Sequence, residues 1–265
     1  MKTPKNRIHI VYPYFLNPVN PISVNLIGAG GTGGQMLTAL ARISMALNAL
    51  GHAGLQVTVF DDDPVQRPNL ARQLFTENEI GLNKGVALIN RINRFFGTNW
   101  KAIPERFEND CKEDRSRSAN LTISCVDTVS ARIEIEKTLC AFGQGGDYRD
   151  KPIYLMDFGN SRDSGQVVLS TMDDIKQAKS ENFCTVSSLP SLIAEYGELL
   201  TTFENTDNTP SCSLAEALVR QDLFINSALA NLGASLLWTI FREGIIQYRG
   251  FFLNLKDFRT QPIAV

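Results

Sequence analysis

Four short runs of apolar and β-branched residues punctuate the first 160 positions: ISVNLIG at 22–28, LQVTVFDDD at 55–63, NLTISCVD at 120–127 and PIYLMDFG at 152–159. Each ends in a polar or glycine break, as a buried strand does where it meets a loop. Between them, positions 33–50 and 83–96 place apolar residues three and four apart, the period of an amphipathic helix, and Asn83 is a suitable amino-terminal cap for the second. Positions 131–142 read as a third crossover helix. Strand alternating with helix implies a parallel sheet. The expectation is an α/β fold: a doubly wound, Rossmann-like, mainly parallel sheet with helices on both faces, whose ligands sit outside the carboxyl ends of the strands.

The pattern changes after Gly159. SGQVVLS at 164–170 reads as an added strand, and about 171–212 is an irregular crossover segment with a weak helical pattern at 190–200 and a polar loop, TTFENTDNTP. A long helix is predicted from Ser213 to Phe241. The aromatic and β-branched stretch at 245–258 then predicts closing antiparallel strands. No internal repeat or low-complexity tract interrupts the chain, so residues 1–265 are expected to form a single domain.

Composition narrows the function classes. Hydrophobic residues make up 43% and charged residues 20% of the 265, an ordinary globular balance rather than a disordered one. The net charge of −2 offers no basic field for nucleic acid or anionic lipid, and no run reaches the roughly 20 apolar residues that span a bilayer. No nucleic-acid or membrane partner is expected. Five widely spaced cysteines without a CxxC pair signal neither a disulfide framework nor a closed zinc site, which fits a reducing, cytoplasmic setting. His9 and His52 are the only histidines, so Ser-His and Cys-His chemistry falls down the list.

The informative chemistry starts at the first strand's end. Gly28-Ala29-Gly30-Gly31-Thr32-Gly33 satisfies GxGxxG between a strand and a helix, where backbone N–H groups at a positive helix end accept phosphate. The turn alone does not choose among NAD, FAD and ATP. In dinucleotide enzymes a ribose-binding carboxylate follows about 20 residues on, whereas Asp61 stands 28 residues after Gly33 in an Asp61-Asp62-Asp63 cluster, which leans away from NAD. Asn69 and Arg72 come next. Lys84 then falls in the first turn of a helix, where a cation opposes the macrodipole unless an anion shares the site. Asp127 ends the third core strand on the same edge as Gly28 and Asp61, where a carboxylate can hold Mg²⁺ against phosphates. Its structural alternative is an amino-terminal cap for the helix near Ser130. Asp157-Phe158-Gly159 matches the kinase metal tripeptide, but no HRD-type loop precedes it.

Taken in order, GAGGTGG, DDDPVQRPNLARQ, GLNK, SCVDT with Arg132 five residues beyond its Asp, and MDFG before SGQVVLS resemble the ThiF/MoeB/HesA group of adenylating enzymes, which includes the ubiquitin-activating enzymes. The resemblance is strong over about 20–170, and NLxRQ is its most specific element. The SCSLAEAL segment and RGFFLNL ending are similar, more narrowly, to the ThiF-type proteins of PRTRC plasmid-associated gene clusters. The resemblance implies ATP-dependent adenylation of the carboxyl-terminal glycine of a small ubiquitin-like or sulfur-carrier protein. It places Gly28, Gly30, Gly31 and Gly33 at the phosphates, Asp61 and Asp63 near the ribose, Asn69, Arg72 and Lys84 around the triphosphate, and Asp127 on Mg²⁺. Arginine, lysine and the metal would stabilise charge building on the phosphoryl oxygens.

It also places an acyl-accepting cysteine near Cys212, read here as lying just before a long helix whose positive end would lower the thiol pKa. Cys184 is the alternative nucleophile; Cys125 and Cys140 are expected to be packing residues. The paired CxxC zinc ligands of many relatives are absent, so no structural zinc is expected. A homodimer and a downstream conjugating enzyme complete the implied partners. Two other functions compete: an NAD(P)-dependent oxidoreductase built on the same glycine turn, which leaves Asn69, Arg72 and Lys84 unexplained, and a non-catalytic nucleotide-binding partner subunit.

Overall fold

A computed structural model describes residues 5–70, 72–108, 117–143, 149–197 and 221–265. The anticipated strand–helix alternation is present. Strand β1 (Arg7–Ile10) precedes β2 (Ile22–Ile27), helix α1 (Gly31–Ala49), β3 (Leu55–Phe60), α2 (Lys84–Phe96), β4 (Lys101–Ile103), β5 (Leu121–Ser124), α3 (Val129–Gly143), β6 (Tyr154–Asn160) and β7 (Ser164–Thr171). The two-residue β8 (Cys184–Thr185) follows, then helix α4 (Ile225–Glu243), β9 (Ile245–Ile246), β10 (Tyr248–Asn254) and β11 (Arg259–Ala264).

Eight strands form one sheet in the order β11-β10-β7-β6-β5-β2-β3-β4. β4, β3, β2, β5 and β6 run parallel. β7, β10 and β11 extend the sheet antiparallel, with Pro262 in the outermost strand. The chain leaves β2 in one direction to β3 and returns on its other side to β5, so β2 and β5 flank the topological switch point where open α/β sheets bind ligands. β1 lies in a small separate sheet between β8 and β9.

Alternating burial on the strands divides the core in two. Val24, Leu26, Val57, Val59 and Ile123 pack against the apolar sides of α1, α2 and α4. Ile27, Phe60 and Leu155 point the other way, against Ile135, Leu139 and Phe142 of α3. Helices therefore cover both faces, as a parallel sheet buried on both sides requires. No helix among the described residues is long and apolar enough to cross a membrane.

Three boundaries depart from the sequence pattern. β3 stops at Phe60, leaving Asp61 as the first residue beyond the strand, and β5 stops at Ser124, leaving Asp127 in the loop before α3. α4 begins at Ile225 rather than Ser213: residues 221–224 are not helical, and the Asp222 carboxylate accepts the Phe224 N–H at 2.8 Å, a local turn that competes with the helix.

Candidate functional site

The glycine turn is shaped by contacts that only glycine permits. Gly28 has φ of +89°, and a Cβ there would lie 2.7 Å from the Cys125 carbonyl oxygen, so the turn sits directly against the end of β5. A Cβ on Gly33 would come within 1.8 Å of the Gly28 oxygen. The turn delivers the chain into α1 with Gly30 as the N-cap, without a side-chain cap and without an acidic residue in the first turn. The leading N–H groups of the helix and its positive end are thus left for an external anion.

Asp61 closes one side of this turn. Its Oδ2 accepts the Ala29 N–H at 2.6 Å and its Oδ1 accepts the Asp63 N–H at 2.9 Å. Burial pushes its pKa above the usual carboxylate range, opposed by the Ala29 N–H and by Lys84. Asn83 caps α2 through the Val86 N–H at 3.0 Å and donates from Nδ2 to the Asp61 carbonyl at 2.7 Å, tying the helix start to the acidic loop. Lys84 is not a solvated lysine at a helix end. It is 8% exposed, and its Nζ meets Asp63 Oδ2 at 2.7 Å. The anion that relieves its unfavourable place on the macrodipole comes from the chain itself.

Arg72 donates from Nη1 to Gln221 Oε1 at 2.6 Å, while its buried Nε has no partner among the described residues. Burial lowers its pKa. The neighbouring Gln73 is buried, its Oε1 also lacks a partner, and its Nε2 lies 3.8 Å from where a Gly30 Cβ would stand. Asn69 is engaged locally, its Oδ1 accepting the Gln66 N–H at 2.8 Å.

Asp127 is exposed beside the glycine turn and makes no hydrogen bond or ion pair among the described residues. It does not cap α3. Thr128 does, accepting the Ala131 N–H on Oγ1 at 3.3 Å. Beneath it, buried Arg132 pairs with Asp157 and donates to the Val126 and Phe158 carbonyls, so β6 and the loop carrying Asp127 share one guanidinium. Asp157 is therefore occupied within the fold. Burial pushes its pKa up, with Arg132 opposing.

These residues fit a nucleotide triphosphate: an uncapped helix start, a glycine cradle that a Cβ would fill, and the Arg72 Nε donor, which has no partner among the described residues. Among the described residues no group of three His, Cys, Asp or Glu could hold a metal. Asp127 alone fits a Mg²⁺ ion, which takes few protein ligands and keeps waters and phosphate oxygens for the rest.

The cysteines divide differently from the expectation. Cys125 is packed beside the glycine turn and burial pushes its thiol pKa up. Cys140 is exposed, a correction that follows from its place on the outward side of α3. Cys212 lies outside the described residues. Cys184 is exposed on β8, in the small sheet whose β9 follows the carboxyl end of α4. The glycine turn meets the other end of α4, a 19-residue helix, so about 28 Å separates the two ends. The structure does not bring Cys184 to the turn.

Sequence reasoning passed over Asn226, Gln221 and Asn160, all within the hydrogen-bonded surroundings of the turn, and met Gln73 only as the last residue of NLxRQ. The only signal was a polar residue, Asn226, set between Ile225 and the apolar positions of α4.

A family model described as ThiF family matches residues 11–259. A curated protein, the ubiquitin-like modifier-activating enzyme 5 of Culex quinquefasciatus, is 28% identical over 142 residues, 49% of this chain and 33% of its own length. Crystal structures of PaaA (TM-score 0.59, 17% identity, 92% of this chain and 64% of that one) and of E. coli MccB with AMPCPP and MccA (TM-score 0.58, 14% identity, 92% and 63%) share the fold. The chain spans about one third of the curated relative's length and under two thirds of the solved chains.

Proposed function

Because the chain belongs to the ThiF family, we propose that it uses ATP to adenylate the carboxyl-terminal glycine of a small ubiquitin-like or sulfur-carrier protein. The observation that carries this reading is the open start of α1 flanked by Arg72, whose Nε has no partner among the described residues, and by buried Lys84. A dinucleotide would leave the open edge of Arg72 without a role. In the same reading Gly28, Gly30, Gly31 and Gly33 cradle the phosphates, Asp61 and Asp63 lie at the ribose side, and Asn69, Arg72 and Lys84 surround the triphosphate, the two cations neutralising its charge. Magnesium, held by Asp127 and the phosphates, would draw charge from the phosphoryl oxygens. The attacking carboxylate needs no strong base, so the protein's part is to bring two anions together and balance them.

The MccB structures, one with ATP and one with AMPCPP and MccA, give a neighbour of the same fold that holds nucleotide. The remaining parts of the proposal are a homodimer in a reducing cytoplasm, the narrower PRTRC-type likeness, and acyl transfer from the adenylate to Cys212 on the way to a conjugating enzyme.

Calorimetry with ATP and Mg²⁺, against NAD and NADP, tests the nucleotide. Binding of a dinucleotide without any response to ATP overturns the proposal. With a small β-grasp partner, the enzyme should exchange labelled pyrophosphate into ATP, and Asp127→Ala or Lys84→Ala should lose about a hundredfold, roughly 3 kcal/mol. Normal exchange by folded Asp127→Ala withdraws the metal assignment. In the same reactions, a thiol-sensitive adduct missing only from Cys212→Ala identifies the acceptor.

A further inference from the structure

Adenylation as proposed gives no role to Asn226. It is the second residue of α4, is 4% exposed, and sits among core residues Ile225 and Leu229. Its Oδ1 accepts from Thr32 Oγ1 and from Asn160 Nδ2, each at 3.0 Å. Its Nδ2 reaches Gln221 Oε1 at 3.4 Å. The same Gln221 oxygen accepts from Arg72 Nη1 at 2.6 Å. A Cβ on Gly31 would lie 2.4 Å from Asn226 Nδ2, so glycine at that place in the turn also makes room for this amide. One buried side chain is thereby bonded to the first turn of α1, to the end of β6 and, through Gln221, to the guanidinium of Arg72.

Arg72 belongs to an irregular stretch between β3 and α2. A long side chain there loses rotamer freedom only if something outside the stretch holds it. Gln221 does so at Nη1. A guanidinium held at Nη1 keeps its Nε–H and an Nη2–H parallel and free, the pair that grips two oxygens of a phosphate. The buried Nε, without a partner among the described residues, is the mark of that arrangement: a buried donor left unpaired is unfavourable until an acceptor arrives.

We propose that Asn226 is a positioning residue that, through Gln221, aims the Nε–Nη2 edge of Arg72 at the amino-terminal end of α1. The positioning stands on the hydrogen bonds; its consequence for nucleotide rests on the adenylation reading.

The experiment uses the full chain, Asn226→Ala and the gentler Gln221→Met, which cuts the link to Arg72 without touching the glycine turn. In arginine-labelled protein without nucleotide, the Arg72 Nε–H resonance, assigned by its loss in Arg72→Lys, should be sharp in the wild type and broadened or shifted in both variants. If Asn226→Ala does not fold, Gln221→Met decides. By calorimetry with ATP and Mg²⁺, Gln221→Met should weaken binding about tenfold, yet add nothing in an Arg72→Ala background, because partners acting through one group are not additive. An unchanged Arg72 resonance, or losses that multiply in the double variant, overturns the positioning. A resonance that responds in a protein that binds no ATP sustains the positioning and overturns the adenylation reading instead.

Discussion

The two ends of the parallel strands treat their polar groups in opposite ways. At the carboxyl end, α1 starts without a cap, Arg72 Nε and Gln73 Oε1 are unpaired, and Asp127 faces solvent. At the other end, beside the small sheet, both histidines have their ring nitrogens engaged, and Asp150 Oδ1 before β6 is left to an ion pair with Arg149 at 3.6 Å. His9 Nδ1 donates to the Val186 carbonyl at 2.7 Å, so its Nε2 accepts the Tyr154 hydroxyl at 2.9 Å, and that oxygen accepts the Tyr12 N–H at 3.0 Å. His52 accepts the Gly54 N–H on Nδ1 at 2.9 Å and donates from Nε2 to the Phe15 carbonyl at 3.0 Å. Both histidines are thus committed to structure. Buried polar groups in proteins are normally satisfied, so the open atoms of Arg72 and Gln73 beside the uncapped helix start are what supports the proposed ligand site there.

The contrast is most severely tested at Arg132, a closed ion pair beneath the open end. Arg132→Met strands Asp157 in the core, which should cost about 3–5 kcal/mol and lower the melting temperature by on the order of 10 °C. Because the same guanidinium holds the Val126 carbonyl next to Asp127, Mg²⁺-dependent ATP affinity should fall as well. A melting temperature within about 2 °C of the wild type would mean that the pair is not holding the two strands.

A smaller effect is expected at the closed end. Tyr154→Phe removes a hydroxyl that serves both His9 and Tyr12, at a cost of about 1–3 kcal/mol. Calorimetry should find ATP affinity unchanged, and a loss of affinity would break the division between the two ends.

The smallest is a pH effect. Burial lowers the His9 pKa, so below about pH 6.5 the unfolded chain takes up a proton that the native protein resists. This contribution is full above pH 6.5 and is lost as the pH falls below it. Asp61 and Asp157, raised by burial, act in the opposite sense at lower pH. The readout is therefore the difference between wild type and His9→Gln: the wild type should lose more stability between pH 7.5 and 5.5, and equal losses would remove His9 from the account.

Most of this architecture was legible in the sequence because buried parallel strands are continuous apolar runs and the glycine turn has a fixed place between strand and helix. Asn83 as a cap and the shared edge of Gly28 and Asp61 followed from local rules. What stayed hidden depends on partners distant in the chain. β1 is four residues long and is held by pairing with 184–185 and 245–246; β4 has three. The apolar spacing at 213–241 runs through Gln221 and Asp222, yet the first is drawn to Arg72 and the second closes a turn. Asn226 carried no helical or strand signal that marked it as central, since its partners lie on α1, β6 and the turn before α4. Lys84 was noticed for its conflict with the helix dipole, but only the folded chain reveals Asp63 as its counter-ion.

Among the described residues the large sheet ends in β4 on one side and β11 on the other, and each is a poor template for another strand. On one, β4 offers three residues, too few for a stable ladder. On the other, β11 carries Pro262, which has no N–H to give, amid exposed Arg259, Thr260 and Gln261. Polar, interrupted margins of this kind resist the sideways recruitment of extended polypeptide that leads to aggregates. Under the proposed activity, such margins would keep a substrate's free tail at the strand ends rather than along the flanks.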